Sequence, residues 1–306
     1  MDQVRLFEKP ELRDPIMIAA FAGWNDAAQA ATSAVRFLLR RWLARKFGEI
    51  ECDEFFDFTQ TRPTVHIVEG ALRQIEWPAT EWHYHKGGGQ DRDFVLLLGV
   101  EPQLRWKSFV GVVLAVCQEL GVRTLVTMGG LLADVPHTVP TKVIGLSNDA
   151  LWAARLQRLD AQSSQYEGPT GIVGVLNSMA GERGMRTASI WGSVPMYLSA
   201  IPNPRVTLSI LQRLNGLLDL SVYLGEMEDM SRQFDRQVAD VVANNPQIAA
   251  YVQQLEEKER AAPEGKPAEQ APPTGGSLDL PSGQTLVDDV EQFLRRQQRD
   301  TSGEGD

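Results

Sequence analysis

The stretch Pro15-Ile16-Met17-Ile18-Ala19-Ala20-Phe21-Ala22-Gly23-Trp24-Asn25-Asp26, continued by an Ala-, Leu- and Arg-rich segment to Trp42, decides the fold. Residues 16–21 form an uninterrupted apolar run closed by turn residues, the pattern of a strand covered on both faces, as in a parallel sheet. Asn25 or Asp26 supplies a helix N-cap, because a side-chain oxygen there accepts from a first-turn N–H that lacks a partner. Ala27, Ala30, Ala31, Ala34, Val35, Leu38, Leu39 and Trp42 then fall at helical spacing on one apolar stripe. Strand, tight turn and helix make the first half of a β-α-β unit. Arg36, Arg40, Arg41, Arg45 and Lys46 give the helix a basic face, either solvated or meeting an acidic partner.

Downstream the texture changes. Residues 52–58, 64–69, 72–77 and 82–85 are short runs rich in Phe, Val, Ile and Trp, punctuated by Arg62-Pro63, Gly70 and Pro78. They read as antiparallel hairpins inserted into, or extending, the main sheet, with Val65 and Ile67 facing inward. The α/β rhythm resumes with a strand at 94–100 and a helix at 106–120 that carries Phe109, Val112, Val113, Val116 and Leu120 on one face. Gly121 stands in the C-cap position. A strand at 122–128 closes on Gly129-Gly130, followed by a loop through His137 and a strand at 143–146. A helix capped by Ser147 or Asn148 runs to about residue 159. Residues 172–181 keep helical spacing at Ile172, Val175, Leu176 and Met179. A strand at 187–191 and a helix at 206–218 complete a core over 1–220. Residues 221–260 show helical periodicity broken at Asn244-Asn245-Pro246, which predicts an antiparallel helical hairpin. Residues 261–284 read as a disordered linker. An amphipathic C-terminal helix at 285–298, with Leu286, Val290, Phe293 and Leu294, and a loose tail at 299–306 follow.

The chain has 306 residues, 43% hydrophobic and 23% charged, which is ordinary globular composition. A formal net charge of −10 repels nucleic acid and acidic membrane surfaces, so neither is an expected partner. Cys52 and Cys117 make no disulfide framework, and a reducing, cytoplasmic setting is expected. The first residues lack the apolar core of a signal peptide, and no apolar run spans a bilayer.

Candidate chemistry gathers at the strand ends. Gly23, Asn25 and Asp26 lie where open α/β sheets bind ligands, and a helix N-terminus there offers N–H groups to an anion; the same residues also make an ordinary turn and cap. Gly129 and Gly130 permit close approach, and His137, followed by Thr138, titrates near neutrality. Gly168, Pro169, Thr170 and Gly171 lack dinucleotide or P-loop spacing, but could form an anion nest before a helix or allow close helix packing. If the chain is an enzyme or small-molecule binder, Asp26 and His137 are the candidate bases and the glycine N–H groups hold an anion. His83 and His85 alternate on one strand face, yet two imidazoles make no closed metal site, and an exposed hairpin edge is expected. No metal or cofactor is expected.

Taken together, Ile18-Ala19-Ala20-Phe21-Ala22-Gly23-Trp24-Asn25-Asp26-Ala27, Gly129-Gly130-Leu131-Leu132-Ala133-Asp134-Val135-Pro136-His137-Thr138, Tyr166-Glu167-Gly168-Pro169-Thr170-Gly171-Ile172 and Ser189-Ile190-Trp191 resemble the PAC2 family in its actinobacterial form. These are proteasome assembly chaperone 2-like proteins. The resemblance implies a three-layer α/β/α sandwich of phosphorylase/hydrolase-like type, here with a C-terminal helical hairpin. It also implies a homo-oligomer, with trimers among bacterial members, and a non-enzymatic assembly or interaction role with proteasome subunits or another cytoplasmic protein as partner. It carries over no catalytic residue. The chain ends Gly303-Glu304-Gly305-Asp306, unlike the hydrophobic-Tyr-x tails by which some family members enter proteasome pockets, so that route is not expected.

Overall fold

The computed structural model describes residues 3–68, 72–87 and 92–261. In chain order, β1 (Val4–Leu6) and β2 (Ile16–Ala22) lead through α1 (Ala30–Arg41) to β3 (Arg45–Ile50). Next come β4 (Thr64–Val68), β5 (Leu72–Glu76), β6 (Thr80–His85), β7 (Phe94–Val100), α2 (Trp106–Glu119) and β8 (Thr124–Ala133). The body closes with β9 (Val143–Ser147), α3 (Ala150–Arg158), β10 (Ala161–Gln162), α4 (Ile172–Glu182), β11 (Arg186–Pro195) and α5 (Pro204–Leu218). Last are α6 (Gly225–Asn244) and α7 (Pro246–Ala261). The linker, C-terminal helix and tail expected beyond Ala261 lie outside the described residues.

Among the described residues one nine-stranded sheet has the order β1-β3-β6-β7-β2-β8-β11-β9-β10. The inner strands β7, β2, β8 and β11 are parallel, and antiparallel strands extend both borders. Strand side chains alternate between faces, so a strand buried on both sides divides its residues between two cores. In β2, Ile16, Ile18 and Ala20 pack with α1 and α5 residues such as Val35, Leu38 and Ile210. Met17, Ala19 and Phe21 pack on the other face with Phe109 and Val113 of α2 and Leu176 of α4. This is a mixed α/β fold with helices on both faces of a large central sheet. Both covered faces explain why the run at 16–21 has no polar alternation.

Several local expectations shift. α1 begins at Ala30, after a 3-10 turn in which Ala28 and Gln29 hold positive φ. Arg45 and Lys46 lie on β3, not on α1; Lys46 pairs with Glu49 at 2.8 Å and Glu81 at 2.6 Å. Residues 52–58 are turns, not a strand. β4 and β5 pair only with each other and stand off the main sheet, so Val65 and Ile67, expected inside, are exposed. β6 is no exposed edge: it lies between β3 and β7 with Trp82 and Tyr84 buried, and His85 stacks on Trp42. Gly129-Gly130 falls inside β8 rather than at its end. Asp149, not Ser147 or Asn148, caps α3 by accepting from the Trp152 N–H at 3.0 Å. The helical hairpin forms as expected and docks on the body: Phe234, Val238 and Val241 of α6 and Ile248, Val252 and Leu255 of α7 enclose Tyr197, Leu198 and Ile201.

Candidate functional site

At the C-terminal rim of the sheet, β2 and β8 stay paired only as far as Ala19 opposite Thr127, while β2 follows β7 to Ala22. Such a split is where open α/β sheets bind ligands. Here the chain fills it. Asn25 and Asp26 drop into the gap, the Gly130 N–H donates to the Asn25 carbonyl at 2.8 Å, and Asp26 bridges to Gly130.

Asp26 is buried, and its carboxylate accepts from the Ala31 N–H at 2.8 Å, the Thr32 N–H at 3.1 Å and the Thr32 hydroxyl. Burial pushes its pKa up, against those hydrogen bonds, which pull it down. All this capacity is committed to starting α1, so Asp26 is a helix cap. The first-turn amide of α4 is also taken. Glu101, just past β7, accepts from the Ile172 N–H at 2.8 Å and from the Asn25 side-chain amide at 2.6 Å. A carboxylate from the chain itself thus occupies the positive helix end offered for an external anion. Gly171 makes room for this arrangement: a Cβ there would lie 2.2 Å from Asn25 Oδ1. Glu101 was not identified from sequence.

His137 and Thr138 belong elsewhere. The His137 N–H donates to Tyr197 Oη at 2.7 Å, and the same hydroxyl is hydrogen-bonded to His137 Nδ1 at 2.6 Å. Burial, then the nearby Arg205 charge, pull the imidazole pKa down, opposed by Asp235 and Glu256. Thr138 donates to Glu256 at 2.7 Å, Lys142 pairs with Glu259 at 2.7 Å, and Asp134 meets Tyr251 and Lys258. The 134–142 loop is therefore the seat of α7. His137 stands apart from the glycine segments, and Asp26 meets Gly130 through its backbone while its carboxylate faces Ala31 and Thr32.

The rest converges on a cleft of about 940 Å³. Of the candidate residues, Gly23, Gly130, Gly168, Pro169 and Thr170 line it; Asn25, Asp26, Gly129, His137, Thr138 and Gly171 do not. The cleft lies on the α4 side of the sheet. Register places Ser189 opposite Leu146 and Trp191 opposite Ile144, all four in the lining. α4 contributes Val173, Gly174 and Asn177, and Asn177 ties it to β8 through Thr127 Oγ1 at 2.6 Å. Trp191 lies across Gly129 on the neighbouring strand, where any Cβ would fall 2.2 Å from its ring. Tyr166 closes its loop by donating to the Pro169 carbonyl at 3.1 Å. No Asp, Glu, Lys, Arg, His or Cys is among the described residues that line the cleft. It offers apolar and aromatic surface with neutral hydroxyls and amides. Among the described residues no group of three or more His, Cys, Asp and Glu could hold a metal, and no helix is long and apolar enough to cross a membrane.

Fold and rim together define an α/β/α sandwich whose strand-end split is sealed by its own Gly-Trp-Asn-Asp turn. The chain belongs to the PAC2 family, whose model matches residues 20–242. It is similar to the solved PAC2 family protein of Streptomyces avermitilis at 41% identity, covering 78% of this chain and 100% of that one with a TM-score of 0.70. It is also similar to the proteasome-assembly chaperone homologue of Mycobacterium tuberculosis, at 38% identity over 78% of this chain and 99% of that one, TM-score 0.70. PbaB of Pyrococcus furiosus, an archaeal proteasome activator, shares the fold at 20% identity, covering 79% of this chain and 99% of that one with a TM-score of 0.63. No functionally curated protein matches the sequence significantly.

Proposed function

We propose that this chain is a non-enzymatic assembly chaperone of PAC2 type, acting in the cytoplasm on proteasome subunits and working as a homo-oligomer, with the trimer as the expected state. The observation that carries this reading is its 38% identity, over 78% of its length, to a protein described as a proteasome-assembly chaperone homologue. The surface fits such a role. β4 and β5 form a two-stranded arm whose Val65, Ile67 and Ile75 share one face and are 53%, 68% and 51% exposed. An isolated hairpin is marginal in water, and exposed apolar patches mark contact surfaces. The two candidate bases, by contrast, are both engaged in holding helices: Asp26 caps one and His137 seats another.

The test is recovery of the full-length protein from its own cells with quantified co-purifying partners. Proteasome α-subunits in stoichiometric amount are the expected outcome. Recovery of the chain without any proteasome subunit overturns the reading.

A further inference from the structure

On the α4 side of the sheet the helix layer ends with α4, which packs on β8 and β11. The loop through Tyr166 and Pro169 reaches around, and the cleft of about 940 Å³ lies between. Its size falls at the upper end of the range of small-ligand sites, roughly 300–1,000 Å³. Two observations narrow what it takes. The first is charge. In a chain with 23% charged residues and a net charge of −10, no charged side chain is among the described residues of the lining. Moving an ionised group from water into such a place costs heavily without a partner. The second is shape and polarity. Trp24, Tyr166 and Trp191 supply flat aromatic surface, and Gly129 leaves the space in which the Trp191 ring lies. Ser189 and Thr170 line the same cleft, and among the described residues their hydroxyls have no hydrogen-bond partner.

We propose that this cleft, lined by Trp24, Leu146, Tyr166, Thr170, Ser189 and Trp191, binds an uncharged small molecule with a planar apolar body and a neutral polar group. The aromatic surface receives the body and the free hydroxyls receive the polar group. No described lining residue is charged or a general base, so the proposal is for binding alone. It stands independently of the assembly role: loss of ligand binding leaves the partner pull-down unaffected.

The experiment titrates full-length protein with Nile red, an uncharged planar dye, and then competes it with tryptophol and with indole-3-acetate, which share a ring but differ in charge. Saturable dye binding, displaced by tryptophol at a concentration at least about tenfold lower than by indole-3-acetate, is expected. Leu146→Glu and Trp24→Ala, both at solvent-reaching positions, should each weaken dye affinity by about tenfold or more, while Leu43→Ser on exposed surface outside the cleft leaves it unchanged. Dye binding that Leu43→Ser weakens as much as Leu146→Glu, equal competition by the carboxylate, or exclusion of the dye each overturns the proposal. So does a change of oligomeric mass on Leu146→Glu, measured by light scattering, since the cleft is then a contact between copies.

Discussion

At the residue scale, two polar groups hold the local structure, one at the rim and one under α7. Glu101 accepts from the Ile172 N–H and the Asn25 amide, so removing it leaves two donors without their charged partner. Glu101→Ala should lower unfolding stability by about 2–3 kcal/mol in urea titration, the size of a lost hydrogen bond to a charge. Sulfate should restore part of that loss in the variant and leave the wild type unchanged, because only the variant has an open helix N-terminus. A variant as stable as wild type, or indifferent to sulfate, would refute the internal-anion reading. Tyr197 makes the second case: its hydroxyl serves both the N–H and Nδ1 of His137. Tyr197→Phe should cost about 1–3 kcal/mol. Because His137 is held below its ordinary value of 6.5, the folded state binds fewer protons than the unfolded one in that window. Its contribution is full above pH 6.5 and fades as pH falls through the lowered folded value. His137→Gln should therefore flatten the stability loss between roughly pH 7 and 5 in thermal melts; an unchanged slope rejects it.

At the element scale, periodicity revealed which segments are buried but not always against what. β2 and α1 were readable because full burial removes polar residues from one and gives the other a single stripe. β3 was missed: Arg45, Lys46 and Glu49 interrupt its apolar residues, and a bulge between Lys46 and Gly48 breaks the alternation. β4 and β5 were recognised as a hairpin and misplaced, since Val65 and Ile67 signal a face to be covered without naming its cover. Glu101 escaped notice because a lone acid after a strand has no period, and its partners lie 76 and 71 positions away along the chain. Asp26 and His137 were legible as special positions, but their roles depend on Thr32 and Tyr197, which no spacing connects to a reaction. The α6–α7 hairpin is held by an apolar stripe and surface ion pairs worth about 0–1 kcal/mol each. Leu255→Ala should open α7 preferentially: limited proteolysis should cut within α7 several-fold faster while the sheet's amide protection stays, and global unfolding without that local step contradicts it.

At the scale of the whole molecule, the detached β4–β5 arm and the cleft are two surfaces that the described residues leave open. Ile67→Lys combined with Ile75→Lys places charge on the arm without touching the two cores. The melting temperature should hold, since exposed substitutions usually change stability by less than about 0.5 kcal/mol, while light scattering should show a smaller assembly. An unchanged mass removes the arm as a contact between copies in the proposed homo-oligomer. The general architecture, a sheet between helices with glycine segments near one rim, was legible in the sequence. The sealed split was not, because it depends on which glycine lets which neighbour in.

Glu101 has a physiological corollary. A helix end that already holds a carboxylate anchored beside β7 is insensitive to the inorganic anions around it. Swings in phosphate concentration should leave this helix end as it is.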